Sequence, residues 1–303
     1  MNKRLVIFFL VLISMSPLTA GQRSPKEHFT AVGLNLFVHV VLTNADGKTV
    51  ETEFIVDTGT TRTTIDVGIA DLLHLKPFEH ADNVTPNGKT VRNIARLPKV
   101  SALSRSSIGL KVVLDDLSMY SKAYNRTVGG FLAMDFLKDY DLFIDFPQSQ
   151  IALLSSDAQL DKYGHLLTVA VISEKGLPLI PISLPSGKTV RVIFDTGCDA
   201  PADALLFKTQ VEDLNLLPPI TYRTSSDQNG QVLTQIGTVA WLGLGFERLA
   251  PASVEVSPTA SPKMFSFQHA GMIGLFPFQS GLVALNFPRQ TLMVSTPLRA
   301  NIK

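Results

Sequence analysis

Phe54-Ile55-Val56-Asp57-Thr58-Gly59 is matched by Val192-Ile193-Phe194-Asp195-Thr196-Gly197, 138 residues on (195 − 57). In both stretches an apolar run ends in Asp-Thr-Gly. A short apolar run reads as a buried strand, and the glycine lets the backbone turn tightly where the strand delivers its carboxylate to a surface. As mere strand-ending turns, one such tripeptide arises by chance in roughly one chain in twenty of this length, and a second at an equivalent place is roughly a hundredfold rarer. Further matches flank the pair: Gly47-Lys48-Thr49-Val50 with Gly187-Lys188-Thr189-Val190, Ile69-Ala70-Asp71-Leu72 with Val211-Glu212-Asp213-Leu214, Asn87-Gly88 with Asn229-Gly230, and Ile144-Asp145-Phe146-Pro147 with Leu285-Asn286-Phe287-Pro288. All offsets fall between 138 and 142 residues. The chain therefore reads as an internal duplication, with halves at 21–160 and 161–303 after an N-terminal segment at 1–20. A pseudo-twofold axis between the halves would bring Asp57 and Asp195 face to face across a central cleft.

The N-terminal segment reads as a cleaved secretory signal. Lys3 and Arg4 precede an apolar run of 11 residues from Leu5 to Met15, and Ala20 ends a stretch of small residues. That run is too short to span a bilayer comfortably, which disfavours the rival reading of a retained anchor. Cys198 is the single cysteine, so no intrachain disulfide can form. A secreted chain of this size without disulfides points to a bacterial periplasm or exterior. With 27 basic and 26 acidic residues and no long basic run, nothing favours nucleic acid or an acidic membrane surface as partner. The expectation is a monomer, with no stable membrane association once the signal is removed.

Each half reads as mostly strand. Leu36–Leu42, Thr52–Val56, Lys111–Leu114 and Asp141–Phe146 are β-rich in the first half, as are Thr168–Ile172, Thr189–Phe194, Gly237–Trp241 and Leu282–Phe287 in the second. One short helix per half is expected, at Val67–Leu75 and at Lys208–Leu216. Asn87-Gly88 and Asn229-Gly230 are strong hairpin signals, and a polar link runs through Ser155–Gly164. Trp241 and the 18 phenylalanines read as core.

Two carboxyl groups about 3 Å apart cannot both ionise at neutral pH, so they share a proton. The charged one can act as a general base on a water held between them, and the protonated one can donate to a carbonyl oxygen. Water then attacks the polarised amide. This chemistry needs no metal, no cofactor and no covalent intermediate.

At these residues the chain resembles the retropepsin-like aspartic proteases, in a duplicated single-chain form with two lobes as in pepsins. The matching stretches are Phe54 to Thr61, Gly129 to Leu137 and Asp141 to Pro147, then Val192 to Asp199, Ala270 to Phe278 and Leu282 to Pro288. The resemblance implies an all-β fold of two pseudo-symmetric acid-protease-like lobes and an aspartic endopeptidase acting on polypeptide. It implies that Asp57 and Asp195 are the catalytic pair, supported by Thr58, Gly59, Thr60, Thr196, Gly197 and Cys198. Thr58 and Thr196 would interlock beneath the pair, and a partner strand would thread behind each Asp-Thr-Gly loop. Asn87, Gly88, Asn229 and Gly230 would tip two flaps of similar length over an extended peptide. The chain departs from the family pattern at Cys198, where a small Ala, Ser or Thr is usual, and at Ala133, which replaces the glycine that Gly274 keeps. Pro277 should also discourage the helix that Asp135-Phe136-Leu137 starts in the first half.

Other readings carry less. A nucleophilic Cys198 needs a nearby histidine, and neither His165 nor His269 sits in a recognisable motif. The histidines show no metal-ligand spacing. Asp66 and Asp199 could add negative charge near the site, but solvated surface carboxylates are the preferred reading. A rival from another class is a catalytically silent, protease-like module that holds a peptide without cutting it. A general β-rich envelope protein is a weaker third. Two costly facing carboxylates argue against both.

Overall fold

A computed structural model describes residues 26–85, 88–155, 160, 166–227, 230–258 and 267–295. The signal segment, Asn87, Asn229, His165 and most of the link Ser155–Gly164 lie outside the described residues. Among the described residues the fold is all-β, in three sheets of six, eight and ten strands. Among the described residues no helix is long and apolar enough to cross a membrane.

The eight-stranded sheet comes from the first half and the ten-stranded sheet from the second, and their central pairings correspond. Thr49–Val56 runs parallel to Gly130–Leu132, which is antiparallel to Thr64–Asp66, which in turn is parallel to Arg105–Asp115. In the second half Thr189–Phe194 runs parallel to Gly271–Ile273, that strand is antiparallel to Ala204–Phe207, and Ala204–Phe207 is parallel to Ala252–Ser257. Such strands are covered on both faces and read as unbroken apolar runs: Phe54, Ile55, Val56, Val192, Ile193 and Phe194 are all buried. The six-stranded sheet mixes the halves, pairing Asp141–Asp145 with Leu282–Asn286 in antiparallel register. One apolar core runs from Phe29 to Val294 through both halves.

The helical expectation needs correction. Val67–Leu72 is helical, capped by the Asp66 carboxylate accepting from Gly68 N–H. Lys208–Leu216 is not a helix; only Lys208–Gln210 forms a 3-10 turn. Val211 leaves the helical region at φ −133°, and the chain enters the strand Leu217–Asp227, whose two prolines favour extended backbone. Two further short helices, Ser118–Ala123 and Met134–Leu137, lie in the first half. At the place corresponding to Met134–Leu137 the second half has a 3-10 turn, Phe276–Phe278, built around Pro277.

The aromatic expectation holds only in part. Phe37, Phe54, Phe143, Phe194 and Phe207 are fully buried, but Phe78 is half-exposed and Phe246 is 80% exposed. Trp241 is only partly buried and stacks under the Arg248 guanidinium. Phe78 sits beneath Arg96 and Lys111. Cations over an aromatic face hold these rings at the surface, an option that composition does not reveal.

Candidate active site

Each Asp-Thr-Gly leaves its strand in the same way. Asp57 N–H donates to Leu132 O and Asp195 N–H to Ile273 O, both at 3.0 Å, so the parallel partner strand fixes where each carboxylate emerges. These partner strands start at Gly130 and Gly271. A Cβ on Gly130 would strike the Thr64 carbonyl and the Phe54 ring, and one on Gly271 would strike the Leu205 carbonyl. Gly271 also has φ +150°, which other residues rarely adopt.

The two loops cross each other. Thr58 Oγ1 donates to Phe194 O at 2.7 Å, and Thr196 Oγ1 donates to Val56 O at 2.7 Å. Each hydroxyl also accepts the other threonine's N–H, at 3.1 Å for Thr58 N and 3.0 Å for Thr196 N. Both threonines are fully buried. This reciprocal set ties the end of one strand to the end of the other, and it brings the two aspartates together. The Asp57 carboxyl lies against Gly197, where an added Cβ would stand 2.8 Å from its Cγ. A Cβ on Gly59 would land on the Asp195 carboxyl. Each glycine is thus the space in which the opposite carboxyl sits. Gly59 N–H donates to Asp57 Oδ1 at 2.8 Å and Gly197 N–H to Asp195 Oδ1 at 2.9 Å.

The two carboxyls hydrogen-bond each other, and their environments differ. Burial raises both above the ordinary carboxylate range. Asp57 is held back first by Gly59 N–H and also by the bond from Asp195. Asp195 is driven well up, first by burial and then by the charge of Asp57. Both carboxyls therefore hold a proton more readily than an isolated aspartate does. Cys198 stands where Thr60 stands in the first half, but it packs among Leu177, Leu179, Ile193 and Met272. Burial and the negative charge of Asp195 push its thiol well above the usual value, so it is held protonated and gains nothing as a nucleophile.

Ala133 and Gly274 differ for a local reason. A Cβ on Gly274 would come within 2.9 Å of the Cys198 carbonyl. Ala133, fully buried, has N–H within 3.3 Å of the Thr63 hydroxyl. That hydroxyl and Thr63 N–H both donate to Asp135, at 2.7 and 3.0 Å, which braces the segment following Thr60.

Arg223 and Tyr124 escaped the sequence reading, while Asp199 and Asp66 enter it mainly as solvated carboxylates. Asp199 is solvated, as expected, yet its charge reaches Asp195 and raises it further. Asp199 also pairs with Arg223 at 3.2 Å. Tyr124, from the first half, accepts from Asn35 Nδ2 at 2.7 Å, and its phenol feels the charges of Asp199 and Arg223 in the second. Asp66 does more than meet solvent, since it accepts Leu117 N–H at 3.0 Å as well as capping its helix. No sequence spacing marks Arg223 or Tyr124, because the groups they meet come from other parts of the chain.

The hairpin tips are shifted from expectation. The ladders close at Thr85 opposite Gly88 and at Asp227 opposite Gly230. Both glycines therefore end a strand pairing and are not a central turn residue; Gly230 has φ +146°. In the second half Arg223 of the hairpin holds Asp199 of the Asp195 loop. Among the described residues no group of three or more His, Cys, Asp or Glu side chains is placed to hold a metal ion.

No protein-family model matches the chain, and no curated protein matches it.

Proposed function

We propose that this chain is a secreted or periplasmic aspartic endopeptidase of the retropepsin-like kind, with its two halves forming related lobes on a central cleft. The observation that carries the reading is the reciprocal Thr58–Thr196 bonding, which sets the buried Asp57 and the partly buried Asp195 carboxyls against each other. Placing two acids so close in a buried site is costly, and general acid–base catalysis is a use that repays the cost. Charged Asp57 takes a proton from a water held between the carboxyls. Protonated Asp195 donates to the carbonyl oxygen of the scissile amide. The water oxygen adds to the carbonyl carbon, giving a tetrahedral diol. Asp57 returns its proton to the amide nitrogen and one diol hydroxyl gives its proton back to Asp195 as the C–N bond breaks, releasing an amine and a carboxylic acid and restoring the pair. The two hairpins would close over an extended polypeptide and exclude bulk water.

A peptide-library digest tests this, with wild type beside Asp57→Asn and Asp195→Asn. Cleavage by wild type and none by either variant, with all three folded, is the expected result. Near-wild-type turnover in either variant would sink the mechanism. Peptide retained but uncut by wild type would favour the binding module instead.

A further inference from the structure

Arg223 sits on the strand Leu217–Asp227, at the root of the second hairpin, and its guanidinium meets two carboxylates. Nη1 donates to Glu255 Oε2 at 3.4 Å and Nη2 to Asp199 Oδ1 at 3.2 Å. Glu255 is 0% exposed, on the strand Ala252–Ser257, and its other oxygen accepts the Thr234 hydroxyl at 2.7 Å. A buried carboxylate needs a counter-charge, so Glu255 fixes the guanidinium in place. Asp199, 55% exposed, belongs to the loop that presents Asp195.

The first hairpin offers a comparison at the same register. Arg223 pairs across the ladder with Thr234, and the next residue, Gln235, faces Val256. In the first half Ala81 pairs with Arg92, and the next residue, Asn93, faces Leu114. Both hairpins thus carry an arginine at the same cross-strand pair, on opposite strands. Arg92 Nε meets the buried Asp115 at 2.7 Å. Of the two, only Arg223 is paired, among the described residues, with a loop that carries one of the central aspartates.

We propose that Arg223 is a positioning residue for Asp195: seated on Glu255, it grips Asp199, ties the second hairpin to the Asp195 loop and balances the charge that Asp195 faces. The inference rests on the reading of Asp57 and Asp195 as a working pair. The groups around Asp195 are Asp57 opposite, Asp199 and the Cys198 thiol on its own loop, and the Tyr124 phenol beside that loop, with Arg223 and Glu255 behind Asp199. Asp199→Asn removes a negative neighbour, so Asp195 should release its proton at lower pH. Arg223→Gln leaves Asp199 and Glu255 unmatched, so Asp195 should hold its proton to higher pH. A residue that merely props the fold would not move Asp195 in these opposite directions.

The test is a carboxyl-carbon NMR titration of carbon-13 aspartate-labelled protein, with the Asp195 signal identified by its loss in Asp195→Asn. The expected midpoint shifts are about half a pH unit down in Asp199→Asn and about half a unit up in Arg223→Gln. Arg223→Lys should hold the midpoint near wild type, because it keeps the charge. If Arg223→Gln fails to fold, the double variant Arg223→Gln with Glu255→Gln, which strands no buried charge but still leaves Asp199 unmatched, takes its place with the same upward shift expected. Unmoved midpoints, or shifts of the same sign, overturn the proposal. The expected shifts in a chain that cleaves no peptide would uphold it while removing the peptidase reading.

Discussion

At Thr196 one hydroxyl serves two strand ends, donating to Val56 O and accepting from Thr58 N–H. Thr196→Val keeps the shape and strips both bonds, leaving a buried carbonyl and a buried N–H unpaired. The expected cost is about 2–5 kcal/mol by chemical denaturation, while Thr196→Ser should lose far less. Equal losses in the two variants would show that packing matters there and the hydroxyl does not. The aspartates make a second prediction. Both hold protons more tightly folded than unfolded, because burial raises them and Asp57 adds its charge against Asp195. Their contribution to stability is therefore complete below the ordinary carboxylate range and is lost as pH rises through the folded pair's ionisations. Asp195→Asn should flatten this slope and melt higher than wild type at neutral pH, read as melting temperature against pH. An unchanged slope would mean that the carboxyl is not proton-linked to folding. Turnover should fall at both pH extremes, with the upper limb displaced toward neutral pH by the raised Asp195. A flat profile extending well above neutrality would speak against a coupled pair.

The hairpins are the elements whose behaviour is most open to test. The first is seated on the strand Arg105–Asp115 through Arg92 and Asp115, the carboxylate buried and the guanidinium mostly so. Arg92→Leu strands a buried charge. The expected loss is about 2–3 kcal/mol, below the fully buried case because Arg92 keeps some solvent. Adding Asp115→Asn should recover part of that loss, and a strictly additive double variant would show that the two do not act together. That both hairpins exist could be read from Asn-Gly and the alternating strands around it. Their register could not: the ladders close on Gly88 and Gly230, one position away from a central Asn-Gly pair. Turn chemistry places a reversal to within a residue, and the pairing of two long strands decides which residues face each other. The absent helix at Lys208–Leu216 has a similar cause, since the repeat suggested it while the neighbouring prolines and the following strand drew the chain out.

In the whole molecule, the halves are joined by a sheet and by a core. Asp141–Asp145 and Leu282–Asn286 lie side by side in the six-stranded sheet, flanked by Gln150–Leu154 and Thr291–Ser295. Separating the halves would bare two strand edges, open the continuous apolar core and break the Thr58–Thr196 bonds. Calorimetry should therefore record one unfolding transition, with calorimetric and van't Hoff enthalpies in agreement. Two resolved transitions would mean that each half melts on its own.

The sequence by itself determined that the chain is β-rich and duplicated, and that two Asp-Thr-Gly turns end buried strands at equivalent places. These features are written in near neighbours: apolar runs, glycine after aspartate, and one pattern recurring at a near-constant offset. Only the tertiary structure decided what surrounds the carboxyls. Asp199, Arg223, Glu255 and Tyr124 meet because strands and loops from distant parts of the chain pack in one register. A carboxylate that looks solvated in sequence then bears on a buried one. The asymmetry between Asp57 and Asp195 has the same origin, since identical tripeptides end in different surroundings and Asp195 meets the charge of Asp199 as well as that of Asp57.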